Sequence, residues 1–205
     1  MLTVASIAKN SNAQENKHDI KIDTRDMLFF GLKIGANYSN VYDTKGDAFQ
    51  ASPKFGLATG GFVSIPIGRY FGIQPELLFS QKGFKATSNT YDLTRTTSYL
   101  DVPIFFAFKP FQMLTLLAGP QYSYLMKQQD VFATGTTSIA QEQDFRNDNI
   151  RKNTLCFVTG ADLNFQHIVL GARAGWDVQN NNGDGTSTDP RYKNVWYQAT
   201  IGYRF

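Results

Sequence analysis

Apolar and polar residues alternate along the chain from position 29 onward, so the dominant period is two residues and not the 3.6 of an amphipathic helix. This alternation is typical of a β-strand with one apolar and one polar face. It recurs in eight segments with no helical segment between them. The apolar positions are Phe30, Leu32, Ile34, Ala36, Tyr38; Phe55, Leu57, Thr59, Gly61, Val63, Ile65, Ile67; Phe71, Ile73, Pro75, Leu77, Phe79; Leu100, Val102, Ile104, Phe106, Phe108; Leu114, Leu116, Ala118, Pro120, Tyr122, Tyr124; Leu155, Phe157, Thr159, Ala161, Leu163, Phe165; Ile168, Leu170, Ala172, Ala174, Trp176, Val178; and Val195, Tyr197, Ala199, Ile201, Tyr203, Phe205. Eight strands without helices predict an all-β protein, either a sandwich or a barrel.

Charge distinguishes the two faces of these strands. No position of the apolar phase carries a charge. The opposite phase contains Lys33, Lys54, Glu76, Lys82, Asp101, Asp162, Arg173, Asp177 and Arg204. A soluble barrel buries its apolar phase inside, whereas a membrane barrel turns that phase to lipid and its charges inward. The period alone leaves both arrangements open.

The connections between the strands alternate strictly in length. The short ones span residues 66–70, 109–113 and 165–167, and the long ones span 39–53, 83–98, 126–153 and 179–194. Outer membrane barrels combine tight periplasmic turns with long external loops, and an even strand number places both termini in the periplasm. Each strand supplies about ten residues, close to the ~9 to 11 that cross the hydrocarbon when tilted. The pattern predicts a closed, eight-stranded antiparallel up-and-down transmembrane β-barrel over residues 29–205.

Aromatic residues cluster at the strand ends, where a membrane barrel carries its aromatic girdles. On the side of the long connections they are Tyr38, Tyr122, Tyr124 and Trp176, and on the side of the short turns they are Phe71, Phe108, Phe165 and Phe205. Aromatic residues that only fill a soluble core have no reason to collect at strand ends. The clustering therefore favours the membrane barrel.

The first 28 residues lack the alternation and are treated separately. Residues 2–8 are apolar, and Ser11 and Ala13 place small residues at both ends of a tripeptide of the kind that signal peptidase cleaves. We interpret residues 1–13 as the remnant of a signal peptide. Residues 14–28, which are charged and have no apolar period over most of their length, are interpreted as a periplasmic tether.

Composition excludes several other classes of protein. Charged residues make up 18% and aromatic residues 14% of the 205 positions, which argues against a disordered chain or a coiled coil. The net charge of +3 is too small to indicate a nucleic-acid partner. Cys156 is the only cysteine, so no intrachain disulfide is possible, and His18 and His167 are too few for a typical zinc site. We expect no cofactor.

Four inward-phase charges, Glu76, Lys82, Asp101 and Arg173, are the candidates for chemistry in the barrel interior. They could form an acid–base site. However, the lumen of an eight-stranded barrel is only just filled by side chains, and inward charges there are usually paired structural groups. We therefore interpret them as a structural charge network and predict no catalytic, cofactor or metal site.

Four segments carry a resemblance to a known family. They are residues 72–83 (GIQPELLFSQKG), 99–103 (YLDVP), 118–122 (AGPQY) and 201–205 (IGYRF). With these segments the chain resembles the PorT-like outer membrane β-barrel proteins of the Bacteroidota. The resemblance implies a barrel whose closing strand ends in an aromatic residue read by the barrel-insertion machinery, here Tyr203 and Phe205. It departs at Arg173, which is followed by Ala174 where the family often has tyrosine.

The function that follows is that of a small, non-enzymatic outer membrane protein. A filled lumen argues against a diffusive porin, which leaves the external loops, above all residues 126–153, for binding, assembly or a structural role in the envelope. The expected partners are outer membrane lipid, the insertion machinery, and an envelope protein or extracellular ligand at the loops. A soluble, lipocalin-like ligand-binding barrel is the first alternative. A lipid-modifying barrel enzyme is the second, although His167 lies on the side opposite the long loops.

Overall fold

In the computed structural model the alternating segments form β-strands at the positions that their period predicts. The structure describes residues 23–42, 51–87, 92–134, 137–142, 150–182 and 191–205. The strands are β1 (Phe29–Tyr42), β2 (Ala51–Pro66), β3 (Phe71–Thr87), β4 (Asp92–Phe111), β5 (Leu114–Thr134), β6 (Thr137–Glu142), β7 (Asn153–Phe165), β8 (Ile168–Asp177) and β9 (Lys193–Arg204). The predicted signal-peptide remnant and the first part of the tether lie outside the described residues. Among the described residues, no helix is long and apolar enough to cross a membrane.

Eight of these strands close into an antiparallel barrel. Each pairs with its neighbour along the chain, except that β5 pairs with β7 past the short β6. The first and last strands complete the ring, with Gly31 opposite Arg204 at one end and Tyr42 opposite Lys193 at the other. Closure leaves no strand of the ring with an unpaired edge, as a hydrocarbon environment requires. The predicted closed eight-stranded fold is confirmed.

The barrel has short turns at one end and long connections at the other. The short turns are residues 67–70, 112–113 and 166–167. Gln166 takes a positive φ of 50° in the tightest of them. At the opposite end, three strands run well past the length that crosses a membrane: β3 has 17, β4 has 20 and β5 has 21 residues, against about 9 to 11 needed.

The predicted bounds of the long connections are therefore too wide. The sequence pattern predicts a loop over residues 83–98, but every residue of this range that the structure describes belongs to β3 or β4. The predicted loop 126–153 contains the end of β5 and the additional strand β6, which pairs with β5 as a hairpin. The wrong bounds have a physical cause. These strand ends lie beyond the apolar belt, and they carry polar residues at outward positions where the belt carries apolar ones.

The apolar phase points outward. Leu32 is 63% exposed and Phe55 is 72% exposed, and the apolar positions of all eight ring strands contribute to this exposed belt. The buried residues of the opposite phase are largely polar. They include Lys33, Asn37, Gln74, Glu76, Lys82, Asp101, Gln121, Asp162, Arg173 and Asp177. Apolar side chains outside and charges inside are the arrangement of a membrane barrel, and they disfavour the lipocalin-like alternative.

Both predicted sets of aromatic residues lie on the outer surface. Tyr38 contacts Phe55 on the long-connection side, with ring centroids 4.9 Å apart. On the short-turn side Phe71 stacks on Phe108 at 5.5 Å. All eight predicted girdle residues are exposed. The belt is therefore bordered by aromatic rings at both ends, where amphipathic rings contact the lipid headgroup region.

Candidate functional site

The four charges singled out in the sequence lie in the lumen but do not form one cluster. Lys82 and Asp101 make one ion pair, with 3.0 Å between Nζ and Oδ2. Arg173 and Glu76 approach to 3.5 Å in a second group of charges. All four side chains are 2% exposed or less. The lumen therefore contains separate groups of charges and not a single site.

The group around Glu76 contains two partners that the sequence analysis did not assign to the network. Lys33 Nζ lies 2.5 Å from Glu76 Oε2, and Arg173 Nη1 lies 2.8 Å from Asp162 Oδ1. Gln74 donates to both carboxylates, at 3.0 Å to Glu76 and 3.2 Å to Asp162. Two cations and two carboxylates thus neutralise each other. Alternation with period two places Lys33 and Asp162 in the inward phase. The same sequence pattern could therefore have identified both residues.

Lys82 is held by aromatic rings as well as by its carboxylate. Its Nζ lies 3.7 Å from the ring centroid of Trp196 and 4.8 Å from that of Tyr99. Trp196 lies against the backbone at Gly175, where any Cβ would collide with the indole ring. A glycine in one strand therefore gives an aromatic ring of the neighbouring strand the space to cover a buried cation.

Beside Lys82 lies a carboxylate held by neutral donors. Asn194 donates to Asp177 Oδ2 from its backbone at 2.9 Å and from its side chain at 2.6 Å. The Cys156 thiol donates to Asp177 Oδ1 at 3.1 Å. Cys156 is 1% exposed, so this thiol serves as an internal donor and is shielded from reagents.

A third group of charges, which the sequence pattern did not predict, is an ion pair nearer the long connections. Arg95 binds Asp130 through two parallel hydrogen bonds of 2.8 and 2.7 Å. The guanidinium also lies 5.9 Å from the ring centroids of both Phe84 and Tyr192. Arg95 and Asp130 both fall within the residues first assigned to loops, which is why the alternation pattern did not extend to them.

The paired charges leave little chemistry available in the lumen. In the described part of the chain, the buried cations number six and the buried carboxylates five: Lys33, Lys82, Arg95, Lys109, Arg173 and Arg204, with Glu76, Asp101, Asp130, Asp162 and Asp177. Each of the charged side chains in an ion pair is 5% exposed or less. General acid–base catalysis needs a group within hydrogen-bond reach of the substrate proton, and burial and pairing disfavour these side chains for that role. Among the described residues, no group of metal-ligating side chains is present.

The short-turn end is covered by the last residues of the predicted tether. Thr24–Asp26 form a 3-10 turn. Arg25 donates to Asp23, Arg69 forms an ion pair with Asp23 at 3.0 Å, and Lys109 Nζ donates to the Arg25 carbonyl at 3.1 Å. The hydrogen bonds from Arg25 hold the pKa of Asp23 well below its ordinary value. Asp23 therefore stays charged, and the contact persists, across the neutral and mildly acidic range.

The two predicted terminal signal residues lie on the outer face at the same end. Tyr203 and Phe205 contact each other edge to face, with ring centroids 5.2 Å apart. The backbone N–H of Phe205 donates to the Phe30 carbonyl at 2.8 Å. Phe205 is 67% exposed. The last residue is therefore fixed to β1 through its backbone while its ring projects from the surface.

Comparison with known proteins agrees with this architecture. Residues 12–180 match the family described as the outer membrane protein beta-barrel domain. No curated protein matches the chain in sequence. Among solved structures, the fold is similar to the attachment invasion locus protein Ail of Yersinia pestis, with a TM-score of 0.50, 15% identity, and 86% of this chain and 98% of that chain covered. It is also similar to Neisserial surface protein A, with a TM-score of 0.51, 12% identity, and coverage of 86% and 97%.

Proposed function

The chain belongs to the outer membrane protein beta-barrel domain family, and from this premise we propose that it is a non-enzymatic outer membrane protein whose working surface is its long-connection end. In this proposal both termini are periplasmic, residues 14–28 are a periplasmic tether, and the long connections face the outside of a Gram-negative cell. The similarity of the four segments described above supports a place among the PorT-like proteins of the Bacteroidota.

One observation carries the proposal: the wall continues past the apolar belt at the long-connection end only. There β3, β4 and β5 extend beyond the ten residues of β8, and β6 adds a further strand to the extension. Outward positions of β4 in the extension, such as Thr94 and Thr96, are polar where those of the belt are apolar. A polar wall of hydrogen-bonded strands standing in water offers a firm surface to an envelope protein or an extracellular ligand.

The lumen supports a structural role for the inward charges in place of transport or catalysis. Side chains fill it from the Arg25 turn at one end to the Arg95–Asp130 pair at the other. A lipid-modifying enzyme would need a nucleophile and a base near the long connections, but His167 lies in a short turn at the opposite end. His18 lies outside the described residues. The proposed role therefore depends on the surface and not on the interior.

Removing the tip of the β5–β6 extension should abolish partner binding and leave the barrel inserted. The variant lacks residues 131–146, which keeps the Arg95–Asp130 pair and leaves residues 147–149 to reconnect the strands. The deleted part of β5 pairs with β4 only beyond the apolar belt, opposite Asp92, Leu93 and Thr94, so the ladder within the belt stays intact. Affinity capture from native envelopes measures which proteins bind the variant. Heat-modifiable gel mobility measures the fraction of the variant that is folded as a barrel.

The matched control replaces residues 183–190 of another long connection with a Gly-Ser linker of equal length. We expect this control to capture the same proteins as the parent. An unchanged set of captured proteins after removal of residues 131–146 would contradict the proposal, as would a shortened variant that no longer forms a barrel.

Deletion of Phe205 should impair assembly in cells more than it impairs folding in vitro. The exposed ring supplies the terminal signal that the family resemblance implies, whereas its deletion removes only one backbone hydrogen bond between the end of β9 and β1. We expect a several-fold loss of heat-modifiable barrel in membrane fractions, together with near-normal refolding from denaturant into detergent. Phe205→Trp, which keeps an aromatic terminus, should assemble normally. Normal assembly of the deletion variant would show that Phe205 is not the signal.

A further inference from the structure

We propose that the outer face of β2 to β5, directly beyond the apolar belt, binds the phosphate group of an anionic membrane lipid. The distribution of lysines is the first observation. Lys33, Lys82 and Lys109 are buried. The remaining lysines of the described residues, Lys54, Lys85, Lys127, Lys152 and Lys193, all lie at the long-connection end.

Three of these lysines share one face of the wall. Lys54 reaches from β2 to the hydroxyl of Thr96 on β4, with 2.5 Å between Nζ and Oγ1. Thr96 alternates with the buried Arg95 and Thr97, so its hydroxyl points away from the lumen. Thr96 is paired with Gly83 of the intervening strand, and glycine leaves the path of the lysine across that strand free of any side chain.

The other two lysines border this contact. Lys85 on β3 is exposed and lies opposite Thr94 of β4 and Ser52 of β2, so it is two positions along the neighbouring strand from Lys54. Lys127 on β5 is exposed and lies opposite Ser98. Two like charges held together on a surface are stabilised when an anion lies between them.

The level of this patch along the barrel determines which anion it meets. Phe55 follows Lys54 directly and packs its ring on Tyr38 at the upper border of the apolar belt. Tyr124, also exposed, precedes Lys127 by three positions. Aromatic rings at a belt border lie among lipid headgroups, so lysines one step beyond them lie at the depth of the headgroup phosphates.

The donor set suits a phosphate. Ammonium groups supply point charges, and the neighbouring hydroxyls of Thr94 and Thr96 supply neutral hydrogen-bond donors. Asp92, at the far end of β4, is an outward carboxylate of this region. It lies opposite Thr87 and Ala133, beyond the lysines when measured from the belt. Glu142 of β6 is opposite Gln129, which is itself opposite Thr96. Three lysines against these two acidic residues give the patch a net positive charge.

The lipid site rests on the proposed function only for the orientation of the barrel. In that orientation the bound lipid belongs to the outer leaflet. Binding can be measured on purified protein whichever way the barrel faces in the cell. If the lysine variants bind lipid A as the parent does, the result of the capture experiment is unaffected. If removal of residues 131–146 leaves the captured proteins unchanged, the lipid site is unaffected.

The test uses the full chain in zwitterionic lipid nanodiscs and measures retention of diphosphorylated lipid A by native mass spectrometry. The variant is K54Q/K127Q, and the matched control is K152Q/K193Q, which removes the same charge from the same end, directly before β7 and on β9. A basic side chain beside an anionic membrane surface contributes about fivefold in binding. We expect K54Q/K127Q to weaken lipid A binding by at least tenfold and the control to weaken it less than twofold.

Three results would overturn the assignment. Equal losses in the two variants would indicate unspecific attraction to positive charge. Equal binding of phosphatase-treated lipid A would show that the phosphate is not recognised. Competition by millimolar inorganic phosphate, with the same dependence on the lysines and no retained lipid, would assign the patch to a free anion. The heat-modifiable gel mobility of each variant is measured in parallel. This measurement distinguishes a folding defect from a loss of binding.

Discussion

Lys82→Met is expected to lower the free energy of unfolding of the barrel by about 3–5 kcal/mol, the cost of leaving one member of a buried ion pair uncompensated. The carboxylate of Asp101, 1% exposed, would then remain in the lumen without its cation. Lys82 also contacts the Trp196 ring, and methionine fills much of the same space, so the loss reports mainly on charge. Equilibrium unfolding by urea in detergent micelles measures the change in the free energy of unfolding.

The double variant K82M/D101L should be more stable than either single variant, because the desolvation cost of both charges disappears with their attraction. The exposed Arg69–Asp23 pair at the short-turn end is the matched control. Its double-mutant cycle should give a coupling of about 0 to 1 kcal/mol, as surface pairs do. Additive losses in the Lys82–Asp101 cycle would mean that the two charges do not compensate each other in the lumen.

Ile104→Arg is expected to destabilise the inserted barrel by about 2–4 kcal/mol, the cost of a cation on the lipid face near the bilayer midplane. Ile104 is 54% exposed on the outer surface. It lies on β4 between Val102, which is opposite Tyr122 of one girdle, and Phe108, which is opposite Phe71 of the other. No lumen group can reach an arginine at this position.

Leu116→Arg provides the depth control on the neighbouring strand. Leu116 is opposite Phe108 and therefore lies at the level of the short-turn girdle. The cost there should fall to about 0 to 1 kcal/mol because the side chain can reach the headgroups. Reversible unfolding in lipid vesicles measures both variants. Equal, small effects at the two positions would mean that the exposed apolar belt does not contact hydrocarbon.

Both experiments test the same feature of the chain, the separation of charge and apolar surface across one wall. Charges in the lumen stabilise the barrel when they are paired, and charges on the outer belt destabilise it because no partner or water is available there. The lysines beyond the belt, among them Lys54 and Lys127, lie at an outward level where a positive charge can meet lipid headgroups.

Much of the fold could be predicted from the sequence because the deciding signal is local. Alternation with period two fixes which face each residue takes, wherever one face must be apolar. Phe30, Leu32 and Ile34 show this in β1, where every second residue is exposed. The alternating lengths of the connections predict up-and-down pairing, which the ladder confirms. The inward placement of Glu76, Lys82, Asp101 and Arg173 follows from the same period.

Alternation ceases to be informative where water replaces lipid, because a strand with water on its outer face need not be apolar there. The upper parts of β3, β4 and β5, and the whole of β6, were therefore assigned to loops. The Arg95–Asp130 pair lies within those parts. Bulges also disturb the phase: strict counting and the pairing with Ser39 put Lys54 on the lumen side, but next to the irregularity between Pro53 and Ala58 its ammonium group reaches the outward Thr96.

The choice of partners inside the lumen is decided by the tertiary structure alone. Glu76 meets Lys33 and Arg173, which are 43 and 97 residues away along the chain. Which inward residues share a level depends on the stagger of the strands around the closed ring, a property of the whole barrel. The sequence by itself therefore determined the strands, their faces and the inward direction of the charges, because each depends on the solvent that a residue meets. Only the closed ring decided which charges pair, because pairing depends on register.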